Sequence, residues 1–299
     1  MSPRNKGILQ ENLKAWIFIL PSFVFVFFFT LYPLVRNLKY SFLRKDLATK
    51  VPYFYGLENY NQMIHDPVFW KTLSNSLVFA LWTVPLGIGL GLFLALLVNQ
   101  KNKTTDKSLL RVLFFYPTVI PMIAAANIWM FIFTPSYGIL DSFLSVLGRG
   151  DHNWLGDPHL VIPSLIVLFV WKHAGYLMIF LLAGMQNIGH DVYEAARLDG
   201  AGPIRTFFSL TLPLLMPTLL FVFVLTITSS FKLVDHLMIM THGGPDNASN
   251  MLLYYIYEMA FSYWNIGRAS ALTIVLLVLL LLVVAVQFLI SDRNIHYAS

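Results

Sequence analysis

Residues 269–290 form an unbroken run of twenty-two positions with no formal charge. A helix of that length rises about 33 Å, close to the ~30 Å hydrocarbon thickness of a bilayer. A soluble protein would have to bury such a helix on every side. The whole chain is 57 % apolar and 12 % charged, against roughly a quarter charged in soluble domains. In hydrocarbon each backbone N–H and C=O must be satisfied inside its own segment, which leaves spanning helices as the structure for apolar runs of this kind.

Six such spans are predicted, at 15–35, 77–98, 109–133, 160–185, 210–231 and 269–290. The first five hold or border prolines (Pro21, Pro33, Pro85, Pro117, Pro121, Pro163, Pro213 and Pro217). Membrane helices accept Pro where neighbours re-satisfy the freed carbonyls, so a packed bundle is expected. Gly87 and Gly91 form a GxxxG pair that permits close helix approach, and packing is the role assigned to them. The organisation expected is a tail, first span and outer loop at 1–76, a five-helix core at 77–290 and a terminal tail at 291–299. The fold class is an all-α integral membrane protein.

The absence of cysteine excludes disulfides and thiolate metal sites. The net charge of +5 suits contact with anionic lipid and does not suggest nucleic acid. Arg4 and Lys6 precede an apolar run with no small-residue cleavage site, so an uncleaved first span is expected. Charge leaves orientation open. With the loop after span four inside, the inner segments hold ten Lys/Arg and the outer segments nine. Lys101, Lys103 and Lys107 in a short connector favour that orientation, and the basic first outer loop opposes it. That first loop is expected to contain short amphipathic helices, and residues 241–249 an irregular turn.

Between spans four and five lies a stretch that lipid would reject, QNIGHDVYEAARLDGAGPIRTFFSLTLPLLMP, residues 186–217. Asp191 is suited to cap a helix, with Glu194 reaching back to complete a capping box. Asp199-Gly200 ends that helix, Gly200 taking the left-handed conformation. Gly202-Pro203 opens a second helix over 204–209, Pro costing no hydrogen bond at the first position. Leu212-Pro213 starts the next span.

Glu194-Ala195-Ala196, three residues, Gly200, nine residues and then Leu210-Thr-Leu-Pro213 resembles the EAA loop of binding-protein-dependent ABC importer permeases. That family prefers Ile where Leu210 stands. Trp171-Lys172, Gly243-Gly244-Pro245 and the Gly56–Tyr60 segment extend the likeness over nearly the whole chain. It is nearest to the carbohydrate and glycerol-phosphate permeases, the maltose-permease-like group. The resemblance implies a type I importer bundle of six helices with a cytoplasmic coupling loop at 186–213. Glu194, Ala195, Ala196, Asp199, Gly200, Leu212 and Pro213 would then couple to an ATPase. The partners implied are a second, similar permease subunit, an ATPase dimer, an extracytoplasmic solute-binding protein and membrane lipid. The location implied is the bacterial cytoplasmic membrane, with both termini inside.

No phosphate-binding G-x-x-x-x-G-K-[ST] occurs, so hydrolysis of ATP is not expected of this chain. ATP and magnesium would reside on the partner ATPase. The eight histidines lack metal-ligand spacing. Lys172 is the one formal charge deep in a predicted span, and charge there is costly. It faces a polar solute path, together with His173 or Tyr176, or it pairs structurally with a carbonyl or carboxylate. Both alternatives stand at this point. Asn127, Ser229, Ser230, Lys232 and Asp235 are further path candidates, although Ser and Thr often bond their own helix. Trp129, Trp171 and Tyr176 could supply the aromatic faces that sugars favour.

Two other classes compete. A secondary transporter or channel would carry inverted repeats with broken helices, and no convincing internal repeat is found. Lys172 at mid-depth and the polar face of span five count against a purely structural membrane protein.

Overall fold

The computed structural model describes residues 16–48, 51–100, 104–148, 150–232 and 234–292. Arg4, Lys6, Lys14, Lys50, Lys101, Lys103, Arg149, Arg293 and the tail beyond 292 lie outside the described residues. Two compact units are present among those described: one takes in residues up to His65 with Glu258–Val275, the other Asp66–Tyr257 with residues from Leu276 onward.

The first unit begins with α1 (Trp16–Ser41), whose apolar side chains are exposed along its length. A π-helical stretch, Phe27–Leu31, interrupts it, and the Phe23–Phe27 and Phe25–Phe29 rings stack along its surface at 6.4 and 5.7 Å. The outer segment that follows holds a two-residue ribbon that composition did not signal. In it β1 (Leu43–Arg44) pairs antiparallel with β2 (Tyr53–Phe54). The expected short helix follows as α2 (Glu58–Ile64). Buried Asn59 ties these pieces together, its amide donating to the Ser41 and Leu43 carbonyls at 2.9 and 3.0 Å.

The second unit is built around α7 (Val161–Gln186), the most buried of the apolar helices. On one side lies α3 (Pro67–Gln100), which starts ten residues before the predicted span. The GxxxG pair faces α7: a Cβ on Gly91 would lie 2.9 Å from Leu177 Cβ and 3.3 Å from the Ala174 carbonyl oxygen. One half of the core gathers Ala95, Val98, Leu177, Leu181, Met185, Leu215 and Val222. The other half gathers Phe79, Phe133, Leu165, Phe169 and Leu237.

The third predicted span needs correction. Residues 109–133 do not form one helix: α4 (Thr104–Val119) and α5 (Met122–Ile132) meet at 94°. Pro121 sits at the break with an extended ψ of 143°, because its ring cannot continue the ladder and clashes with the carbonyl four residues back. A short helix, α6 (Ile139–Val146), follows. Among the described residues five helices are long and apolar enough to cross a membrane, and the bent pair makes a sixth if taken as one span.

After α7 come α8 (His190–Leu198) and α9 (Pro203–Thr206). A π turn at Phe207–Thr211 and a helical turn at Leu212–Leu214 lead into α10 (Met216–Ser230). Then follow α11 (Asp235–Met240), α12 (Leu252–Tyr257) and α13 (Ile266–Asp292), the last helix among the described residues.

Asn75 and Ser76, near the start of α3, organise the outer segment after α11. The Asn75 amide donates to the carbonyls of Asn247 and Asn250, both at 2.8 Å, and Ser76 Oγ accepts from the Leu252 N–H at 2.9 Å. Ser249 Oγ donates to Thr241 Oγ1 at 2.8 Å within the same segment.

Candidate functional site

The connector between α7 and α10 is a helix, a sharp turn and a second helix, with one correction to its start. No capping box forms. The residue flanking the first turn is Gly189, in extended conformation with ψ of 141°, and no side chain caps that end. Asp191 lies inside the first turn, its carboxylate folded back over Gly189, where a Cβ would stand only 2.3 Å from Oδ1. Glu194 instead meets His190 one turn away, Oε1 to Nδ1 at 3.0 Å, and both side chains are exposed.

The end of α8 follows the predicted pattern. Gly200 has φ of +71°. Its N–H donates to the Arg197 carbonyl at 3.1 Å, and the Ala201 N–H to the Ala196 carbonyl at 2.9 Å. These two bonds make a Schellman turn, which satisfies carbonyls a helix end otherwise leaves open. A Cβ on Gly200 would meet nothing within 4 Å, so the demand for Gly is set by backbone conformation and not by space. Gly202, extended with ψ of 165°, places Pro203 at the first helical position.

The two helices are held at an angle by Thr211, whose Oγ1 donates to the Tyr193 hydroxyl at 3.3 Å. Ala196 is buried against this corner, and Glu194, Ala195, Leu198, Asp199 and Gly200 are exposed. Leu212 is half-buried and Pro213 exposed. Exposed Leu198, Ile204 and Phe208 add an apolar face. Such a surface, stiff within itself and joined directly to a spanning helix, can transmit displacement to α10.

A second group of polar residues lies within the spans. The Lys172 ammonium, 8 % exposed, donates to the carbonyls of Pro117 and Thr118 at 2.9 Å each, and also to that of Ile120. Thr118 Oγ1 returns a bond to the Lys172 carbonyl at 3.1 Å. Beside it, half-buried Trp171 packs edge-on against Trp129 of α5 at 5.6 Å. His173 stacks on Phe169 at 4.0 Å, with Nδ1 2.9 Å from the Phe169 carbonyl oxygen. Tyr176 lies edge-on to Phe180 at 4.9 Å.

The structure therefore brings Trp129, Trp171 and Lys172 together at the α4–α5 bend. None of Asn127, Ser229, Ser230, Lys232 and Asp235 shares a hydrogen bond or ring contact given above with that group. Asn127 is exposed on α5, its amide turned back to the Ile123 carbonyl at 2.9 Å. Ser229 is half-buried, and Ser230 Oγ donates to its own helix at Ile227, 2.7 Å away. Lys232 is exposed between α10 and α11, and Asp235 is exposed at the first position of α11.

Two features went unpredicted. Asp141 of α6 is a buried carboxylate that accepts the backbone N–H groups of His152, Ser136 and Asp151 at 3.1, 2.9 and 2.8 Å. These bonds, His152 first, with the Trp154 indole added, hold its pKa down to about 2. Asp141 stands in the first turn of a short helix, where aspartate is common, so no local signal set it apart. The other is an apolar cleft of about 430 Å³ between α5, α6 and α7, lined by Trp129, Phe133, Phe143 and Trp154.

Known proteins share both the fold and the pattern. The probable ABC transporter permease YurN of Bacillus subtilis is 33 % identical over 274 residues, covering 91 % of this chain and 94 % of that protein. The sulfoquinovosyl glycerol transport system permease protein SmoG of Agrobacterium fabrum is 33 % identical over 279 residues, covering 93 % and 90 %. The crystal structure of a bacterial ABC transporter involved in import of the acidic polysaccharide alginate contains a chain that superimposes with a TM-score of 0.83. That likeness covers 97 % of this chain and 99 % of the other at 21 % identity, and concerns the fold. That alginate transporter has also been solved with its alginate pentasaccharide-bound periplasmic protein. Residues 87–296 match the family model for the binding-protein-dependent transport system inner membrane component, and the chain belongs to that family.

Proposed function

We propose that this chain is one of two permease subunits of an ATP-driven importer that moves a sugar or sugar derivative across the cytoplasmic membrane by alternating access. The observation that carries the mechanism is the α8–Gly200–α9 corner. It is a rigid, exposed element continuous with α10, and Thr211 fixes its internal angle to Tyr193. A partner ATPase closing on ATP would displace this corner, and α10 would follow. ATP and magnesium belong to that partner, and this chain converts the motion. Both termini and the corner lie on the cytoplasmic side, and the outer segments receive a solute-binding protein.

A sugar-type solute is supported by SmoG, named for a sugar glycoside, and by the alginate importer, named for an acidic polysaccharide. The Trp129–Trp171 pair offers an aromatic surface on which a sugar ring could stack.

The test uses the corner. Gly200→Val forces a β-branched side chain into the left-handed region, which costs about 1–2 kcal/mol or more for a non-Gly residue. Because space around Gly200 is open, Gly200→Asn, which tolerates that region, is expected to keep most of the function. The valine variant should reach the membrane in normal amounts and lose ATPase co-purification or the coupling of hydrolysis to uptake. Wild-type coupled uptake in Gly200→Val would remove the main support for the corner as transmission element.

A further inference from the structure

Pro121 has no N–H, so the carbonyl four residues back loses its usual donor. That carbonyl belongs to Pro117, and Lys172 Nζ donates to it at 2.9 Å. The same ammonium serves Thr118 at 2.9 Å and Ile120. These are the carbonyls left open where α4 stops, an end at which a cation is also favoured by the helix dipole. An ammonium has three N–H donors. Three carbonyls use all of them.

We infer that Lys172 is a positioning residue for the solute path and not a ligand within it. It supplies the hydrogen bond that Pro121 withholds, with two more to carbonyls at the end of α4, and so fixes the 94° bend from which α5 departs. The inference rests on the proposal above that a solute path runs through this bundle. The neighbouring residue completes the grip. Trp171 packs on Trp129, an aromatic pair at 5.6 Å on the far arm of the bend. The near arm is held closer still: a Cβ on Gly175, one turn along α7 from Lys172, would fall 2.0 Å from the Phe114 carbonyl oxygen. Two consecutive residues of α7 thus hold both arms, and α5 carries Asn127 and Trp129 at an angle they set.

The test is a double-mutant cycle on the transporter purified with its partners. Lys172→Met should lower the thermal unfolding midpoint by several degrees, and cut uptake by about tenfold or more, since it strands carbonyls bonded to a charged donor. In a Pro121→Ala background the restored N–H can serve the Pro117 carbonyl. The midpoint drop caused by Lys172→Met should then shrink to about half or less, the coupling expected of residues that share a partner. An equal drop in both backgrounds overturns the inference. So does a changed preference of Lys172→Met between a neutral disaccharide and a sugar phosphate, each offered with the solute-binding protein. Where Pro121→Ala does not assemble, Lys172→Arg decides: it keeps a cation with several donors, and its midpoint should stay near wild type, whereas a methionine-like drop overturns the inference. Should the wild-type complex take up no solute with ATP, the importer proposal fails, and the unfolding cycle still decides this one.

Discussion

Gly175 of α7 and Phe114 of α4 meet backbone to backbone, with space for no side chain at 175: a Cβ there would stand 2.0 Å from the Phe114 carbonyl oxygen and 2.9 Å from Phe115 Cα. Neither atom belongs to a side chain that could rotate away. Gly175→Ala should therefore push α4 off α7, at a cost of about 1–3 kcal/mol or more for overpacking. Gly89 of α3 is the control, because a Cβ there meets nothing within 4 Å, and alanine is the better helix former by about 1 kcal/mol. Thermal unfolding in detergent should rank Gly89→Ala at or above wild type and Gly175→Ala well below. The opposite order would mean the crossing is looser than described.

The Asp141 carboxylate gives a pH dependence of defined sign. Bonds from the His152, Ser136 and Asp151 backbones hold its pKa at about 2, below the roughly 3.9 of an unfolded aspartate. Its stabilising contribution is therefore complete above about pH 4 and disappears as pH falls through about 2. Asp141→Asn removes the titrating group. The fall in unfolding temperature between pH 5 and pH 2.5 should be shallower in that variant than in wild type. Parallel curves would show that the carboxylate is not the acid-sensitive anchor of the α6 segment.

Sidedness follows from placing the corner in the cytoplasm. The cysteine-free sequence allows single cysteines to be read without background. Arg197 on α8 and Asp246 in the segment after α11 are both exposed. Arg197→Cys should react with a membrane-impermeant maleimide only after permeabilisation, and Asp246→Cys in intact cells. Labelling of both from one side would exclude an odd number of crossings between them.

What the sequence made legible was local. The Gly200 turn could be read because a left-handed residue ending a helix is a demand made at one position. The Pro203 start was equally local. The Asp191–Glu194 capping box failed because Gly189, two residues earlier, can take the extended entry conformation with no side chain at all. The helix then starts at His190 and leaves Glu194 a different partner. Lys172 was visible as a charge in a span, but its partners were not, because they are backbone carbonyls and every residue has one. Only Pro121 hinted at which carbonyls would lack donors, and nothing in the sequence says that span four packs against that proline. The 94° bend was missed for a related reason: membrane helices often carry proline with a modest kink, and composition does not separate a kink from a break.

The bonds from Asn75 and Ser76 to residues 247–252 set an order of events during synthesis. The acceptors for the Asn75 amide lie 172 and 175 residues downstream. At about 5–20 residues per second the chain needs roughly 9–35 s to make them. For that interval the Asn75 amide is without these acceptors, while Ser76 Oγ can already donate to the Thr72 carbonyl of its own helix at 2.8 Å. The contact between the start of α3 and residues 247–252 is therefore made late, after the segment beyond α11 has been synthesised. A nascent chain stopped before residue 247 would hold α1 to α11 and keep that end of α3 without these partners.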